Sequence, residues 1–148
     1  MAGTLYLCAT PIGNLDDMTF RVLDTLRSVD LIAAEDTRNS IKLLNRFEIK
    51  TPMTSYHEYN KVEKAEKLIA MMKEGKNIAL VTDAGMPAIS DPGEDVVALA
   101  AEAGVAIIIG TTGLTMEQRA ELKALSSRAR IIQTTNYSVG VNLLFHLA

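Results

Sequence analysis

Tryptophan is absent from this 148-residue chain, cysteine occurs once, histidine occurs twice, and aromatic residues make up only 5%. With Cys8 alone, no internal disulfide can form, so burial must hold the fold and a reducing compartment is implied. Cys8 lies in the apolar run from Leu5 to Ala9, where a buried thiol is expected rather than a nucleophile. His57 and His146 lie far apart, without thiols or acids at ligand spacing, so no metal site is predicted. No apolar stretch approaches the roughly 20 residues of a membrane span, and no basic segment leads into an apolar run as in a secretion signal. A cytoplasmic chain without membrane contact is expected. An excess of positive charge is also missing. Fifteen basic against 18 acidic side chains give a net charge of -3, so no nucleic-acid partner is expected for the isolated chain.

What is present suits one soluble domain: 48% hydrophobic and 22% charged residues. A chain of this size buries roughly two thirds of its unfolded surface, enough for a core without staples. Short apolar runs alternate with stretches of helical period. Predicted strands are Thr4 to Ala9, Leu31 to Glu35, a weak one at Met53 to Tyr56, Ile78 to Thr82, Ala106 to Ile109 and Arg130 to Thr134. Most are solidly apolar, as strands buried on both faces should be. The pattern predicts a single α/β domain over residues 1–148, three-layered and Rossmann-like, with a mainly parallel sheet of about six strands and helices on both faces. The strand near Ala106 is expected inside the sheet and the one near Arg130 toward an edge; the strand order stays open.

Helix punctuation fills the intervals. Asp16 or Asp17 can cap a helix with a Phe20, Leu23, Leu26 stripe; Val62, Ala65, Leu68, Ile69 and Met72 form another before Gly75. Asp91-Pro92 is a start signal and Gly104 a stop, Thr115 with Gln118 reads as a capping box, and Ser138 can cap a last helix. The mixed lysines and glutamates between Glu58 and Lys76 read as a solvated face.

Ligands of open α/β sheets gather outside the carboxyl ends of the strands, which singles out the loops there. The run Asp83 to Gly93 holds two prolines, two glycines and two aspartates and is too constrained for an idle connector. Asp83, Ala84, Gly85, Met86 and Ser90 are its candidate cofactor-binding residues, joined by Gly110, Thr111, Thr112 and Gly113 after the fifth strand. The loop Thr10 to Leu15 lacks G-x-G-x-x-G, so a dinucleotide turn is unsupported there. Glu35 and Asp36 read as helix capping rather than ribose binding. No catalytic residue is assigned.

The stretches LYLCATPIGNLDDMTFRVLDTL, VDLIAAEDTRNSIKLLNRFEI, SYHEYN and ALVTDAGMPAISDPG resemble the N-terminal domain of the rRNA small subunit methyltransferase I family, within the tetrapyrrole-methylase fold, over residues 3 to about 105. The resemblance implies transfer of a methyl group from S-adenosylmethionine to a ribose 2'-hydroxyl of a cytidine in small-subunit rRNA, with the loop Asp83 to Gly93 lining the cofactor cleft. From about Ile107 the chain looks instead like dihydrodipicolinate reductase, through GTTG and through Asn136, Tyr137, Ser138, Gly140 and Asn142. That resemblance implies contact with NAD(P)H.

Two families in one chain suggest an engineered chimera with a seam between residues 96 and 109. On this reading each parent has lost essential parts: the second domain and Pro-Gly-Pro-Ser loop of one, the glycine-rich turn and His-His-x-x-Lys segment of the other. The expectation is a scaffold without turnover, requiring no cofactor. The alternatives are a residual S-adenosylmethionine-binding module, with NAD(P)H the lesser candidate, or a methyltransferase fragment completed by a partner. Apolar residues near Pro11, Ile12, Met86 and Ile89 could form an exposed patch, so a monomer or weak homo-oligomer is expected.

Overall fold

The computed structural model describes residues 1–11, 13–56, 61–83, 85, 87, 94–109, 116–125 and 130–133. Six strands form where the apolar runs predict them: β1 (Thr4–Leu7), β2 (Leu31–Ala34), β3 (Met53–Ser55), β4 (Ile78–Val81), β5 (Ala106–Ile109) and β6 (Ile131–Gln133). Helices α1 (Phe20–Ser28), α2 (Thr37–Arg46), α3 (Lys61–Lys73), α4 (Glu94–Glu102) and α5 (Met116–Leu125) connect them. All six strands belong to one parallel sheet of order β3-β2-β4-β1-β5-β6. The expected three-layer α/β architecture is therefore observed, with β5 inside the sheet and β6 at its edge.

Burial explains the pattern. Every residue of β4 is buried, which is why Ile78–Val81 reads as an unbroken apolar run. On one face Leu5, Leu7 and Ile107 meet Leu68 and Met72 of α3 and Val96 and Ala100 of α4. On the other, Cys8, Ile32 and Val81 meet Leu23 and Leu26 of α1 and Leu43 and Leu44 of α2. Two cores thus sandwich one sheet. The solvated face of α3 is also as expected, with Lys67 paired to Glu63 one turn away.

Helix starts depart from the sequence reading at α1. Asp16 and Asp17 do not cap it; they sit in a single 3-10 turn, Leu15–Asp17, which Asn14 caps by accepting from the Asp16 N–H at 3.1 Å. Thr19 is the cap of α1, accepting from Val22 N–H at 3.4 Å. The later start moves burial to Val22, Leu23 and Leu26 and leaves Phe20 85% exposed. Gly75 and Gly104 end their helices at φ +97° and +70°, as their placement predicts. Asp91-Pro92, Thr115 and the segment from Ser138 lie outside the described residues, as do His57 and His146. No described helix is long and apolar enough to cross a membrane.

Candidate functional site

The helix after β1 packs on one face of the sheet and the helix after β4 on the other, although the two strands are neighbours. Chain segments leaving adjacent strands toward opposite faces open a crevice at their carboxyl ends. Two loops close the floor of this crevice against each other. Thr10 N–H donates to the Gly85 carbonyl at 2.9 Å, Gly85 N–H returns a bond to the Thr10 carbonyl at 3.3 Å, and the Thr10 hydroxyl donates to the Thr82 carbonyl at 2.7 Å. Gly85 sits at φ +86°, a conformation that favours glycine.

Beside this bridge lies a cavity of about 310 Å³ whose walls include Thr10, Pro11, Gly13 and Leu15 after β1, Asn39 and Lys42 of α2, and Val81, Thr82 and Asp83 of β4 and its loop. Arg46 at the end of α2 pairs with Asp16 at 3.0 Å and ties the 3-10 turn to that helix.

The Asp83 side chain at the rim is held through both carboxylate oxygens. Its Oδ1 accepts from the Asp36 N–H at 3.1 Å, its Oδ2 accepts from Asn39 Nδ2 at 2.8 Å, and its own N–H donates to Glu35 Oε2 at 3.4 Å. Asp36 caps α2, as the sequence suggests, accepting from Arg38 N–H at 2.8 Å and from the Arg38 guanidinium at 2.7 Å. That side-chain bond, followed by the backbone one, holds the Asp36 carboxyl down to about 2. The same pairing raises the Arg38 pKa.

Of the candidate binding residues, Asp83 and Gly85 are brought to the crevice. Ala84, Met86, Ser90, Gly110, Thr111, Thr112 and Gly113 lie outside the described residues, as do Ile12 and Ile89 of the expected apolar patch. Asn39 and Lys42 were not legible as site residues. For Asn39 a signal was available, since it lies in the first turn of α2, and the first turn of a helix following a parallel strand stands at the carboxyl end of the sheet. Cys8 is buried, and burial pushes its thiol up to about 12, which suits a packing role. Among the described residues no group of three or more His, Cys, Asp or Glu could hold a metal ion.

Residues 4–116 match the family described as Tetrapyrrole (Corrin/Porphyrin) Methylases. The chain belongs to this family. It is 63% identical over 95 residues to Ribosomal RNA small subunit methyltransferase I of Bacillus subtilis (strain 168), covering 64% of this chain and 32% of that protein. The corresponding Halalkalibacterium halodurans protein is 59% identical over 106 residues, covering 72% of this chain and 37% of that one. The matched stretch thus spans about a third of these curated relatives. Among solved structures, a uroporphyrin-III-C-methyltransferase from Thermus thermophilus superposes with a TM-score of 0.59 at 19% identity, over 74% of this chain and 47% of that one. A cobalamin synthesis related protein (CobF) from Corynebacterium diphtheriae gives 0.56 at 17% identity, over 84% and 58%. Both likenesses speak for the fold.

These findings overturn the expectation of an engineered chimera without function. The family match runs through the expected seam at 96–109 and on to residue 116, taking in Gly110 to Gly113. None of the comparisons supports a dihydrodipicolinate reductase segment. The reason for the misreading is physical: a buried aliphatic strand followed by a small, glycine-bounded loop is what many parallel strands need where they meet a ligand crevice, so GTTG does not discriminate between families. An expectation that no cofactor is required falls with it.

Proposed function

We propose that this chain is the cofactor-holding part of a methyltransferase that uses S-adenosylmethionine and acts on small-subunit ribosomal RNA, at a ribose 2'-hydroxyl of a cytidine. The observation that carries the reading is the crevice between β1 and β4, with the Asp83 carboxylate fixed at its rim. Its volume of about 310 Å³ lies at the lower end of small-molecule sites, roughly 300–1,000 Å³. Pro11, Leu15 and Val81 offer apolar wall for a purine ring, and Thr10 and Asp83 offer polar groups for hydroxyl or ammonium donors. The residues present therefore fit the cofactor. When bound, it supplies an electrophilic methyl group on a sulfonium sulfur.

The chain's own contribution is to bind and orient. Asp83 accepts hydrogen bonds from the ligand, and the Thr10–Gly85 bridge keeps the two loops at fixed separation. Ala84, Gly85, Met86 and Ser90 extend the proposed contact surface along the same loop, and Gly110, Thr111, Thr112 and Gly113 add the loop after β5, whose strand is the other neighbour of β1. The RNA acceptor rests on the names of the relatives and on the resemblance, since a net charge of -3 gives this chain no general attraction to phosphates.

Calorimetric titration with S-adenosylmethionine tests the reading. Saturable binding is expected, and Asp83→Ala should weaken it at least tenfold, the scale of a lost hydrogen bond to a charged group at about 1.5–3 kcal/mol. No saturable heat from the unaltered chain would overturn it. Transfer of labelled methyl groups to small-subunit rRNA tests the acceptor. Binding without any label in the RNA would remove the RNA from the proposal.

A further inference from the structure

Asp83 and Asn39 are 44 residues apart in sequence, yet the Asn39 side-chain amide lies 2.8 Å from Asp83 Oδ2. The other carboxylate oxygen takes the Asp36 backbone N–H at 3.1 Å. Both donors come from the start of α2, so one short piece of helix grips both oxygens of the carboxylate. That piece is itself fixed. Asp36 caps it, Arg38 pairs with the cap, and Leu43 and Leu44 one to two turns on are buried against the sheet.

We infer that Asn39 is a positioning residue for ligand binding at this cavity, acting by holding the Asp83 carboxylate in place. The inference rests on the proposed cofactor reading and deepens it. Asp83 is exposed at the rim, and an exposed aspartate without such a grip would sample several rotamers and lose that freedom on binding. An amide suits the task because it donates a hydrogen bond without adding charge. The carboxylate stays an anion, and each oxygen, which can accept two hydrogen bonds, keeps one site for the ligand. A lysine there would cancel the charge and an aspartate would repel it. Asn39 is exposed, so its replacement removes little packing.

The test is a double-mutant cycle read by calorimetry with S-adenosylmethionine, alongside thermal melts of every variant. Asn39→Ala should weaken binding about fivefold to tenfold with an unchanged melting temperature, and Asn39→Asp should weaken it further. In the Asp83→Ala background, Asn39→Ala should have no additional effect, because its only route to the ligand has gone. A purely structural role would move the melt, and direct ligand contact would persist in the Asp83→Ala background; either result overturns the inference. Tight binding to both the unaltered chain and Asn39→Ala overturns this role while leaving the cofactor reading intact. Absence of binding to the unaltered chain overturns both.

Discussion

Asp36 illustrates how much one side chain sets at this site. Its carboxylate starts α2, and its backbone N–H reaches Asp83. Because hydrogen bonding to Arg38 brings its pKa from 3.8 to about 2 in the folded state, its contribution to stability is fully present above about 3.8 and is lost as pH falls through about 2. The carboxylate is open to solvent, so screening keeps that contribution small. An NMR titration of the Asp36 carboxyl should give a midpoint near 2, and Arg38→Ala should return it toward 3.8. A midpoint near 3.8 with Arg38 in place would refute the pairing. Of these residues, Asp36 as a cap and Cys8 as a buried thiol were legible from their immediate neighbours, because capping and burial are local properties. Asn39 was not, because its meaning depends on a residue 44 positions away.

At the scale of elements, the helix stops and strand starts were written in glycines, but two of them work differently. Gly104 ends α4 at φ +70°, and an added Cβ would meet nothing within 4 Å. Replacing it with alanine should cost about 1–2 kcal/mol, from backbone conformation alone. Gly3 precedes β1, and an added Cβ there would lie 1.9 Å from the Lys76 carbonyl oxygen, which is backbone and cannot swing aside. Gly3 N–H also donates to the Met72 carbonyl at 2.7 Å, so β1 cannot shift without losing that bond. Urea unfolding should therefore show Gly3→Ala losing clearly more stability than Gly104→Ala; equal losses would mean that the approach to Lys76 relaxes freely. The start of α1 shows the limit of such local signals. Two acidic residues at 16 and 17 advertised a cap, and a single 3-10 turn absorbed them before Thr19 took the role.

For the whole molecule, the consequence is linkage between ligand and fold. If the crevice holds S-adenosylmethionine, then at a hundredfold its dissociation constant the folded state gains about 2.7 kcal/mol. For a domain of this size that corresponds to a rise in melting temperature of about 5–10 °C. NADH should leave the melt unchanged, since no glycine-rich pyrophosphate turn follows β1. An equal rise with NADH would contradict a site specific for the methyl donor.

The chain's own text determined six strands, their parallel setting between helices, the buried run of β4 and the candidate loop that begins at Asp83. Those features follow from hydrophobic period, burial on two faces and turn chemistry, all written within a few residues of one another. Only the tertiary structure decided that β1 stands between β4 and β5, that α1 and α4 leave neighbouring strands toward opposite faces, and that Asp83 meets both Asn39 and the Asp36 N–H. An apolar strand states that it will be buried and says nothing of beside which strand. That choice belongs to the packing of all the elements at once, and the crevice exists only after it has been made.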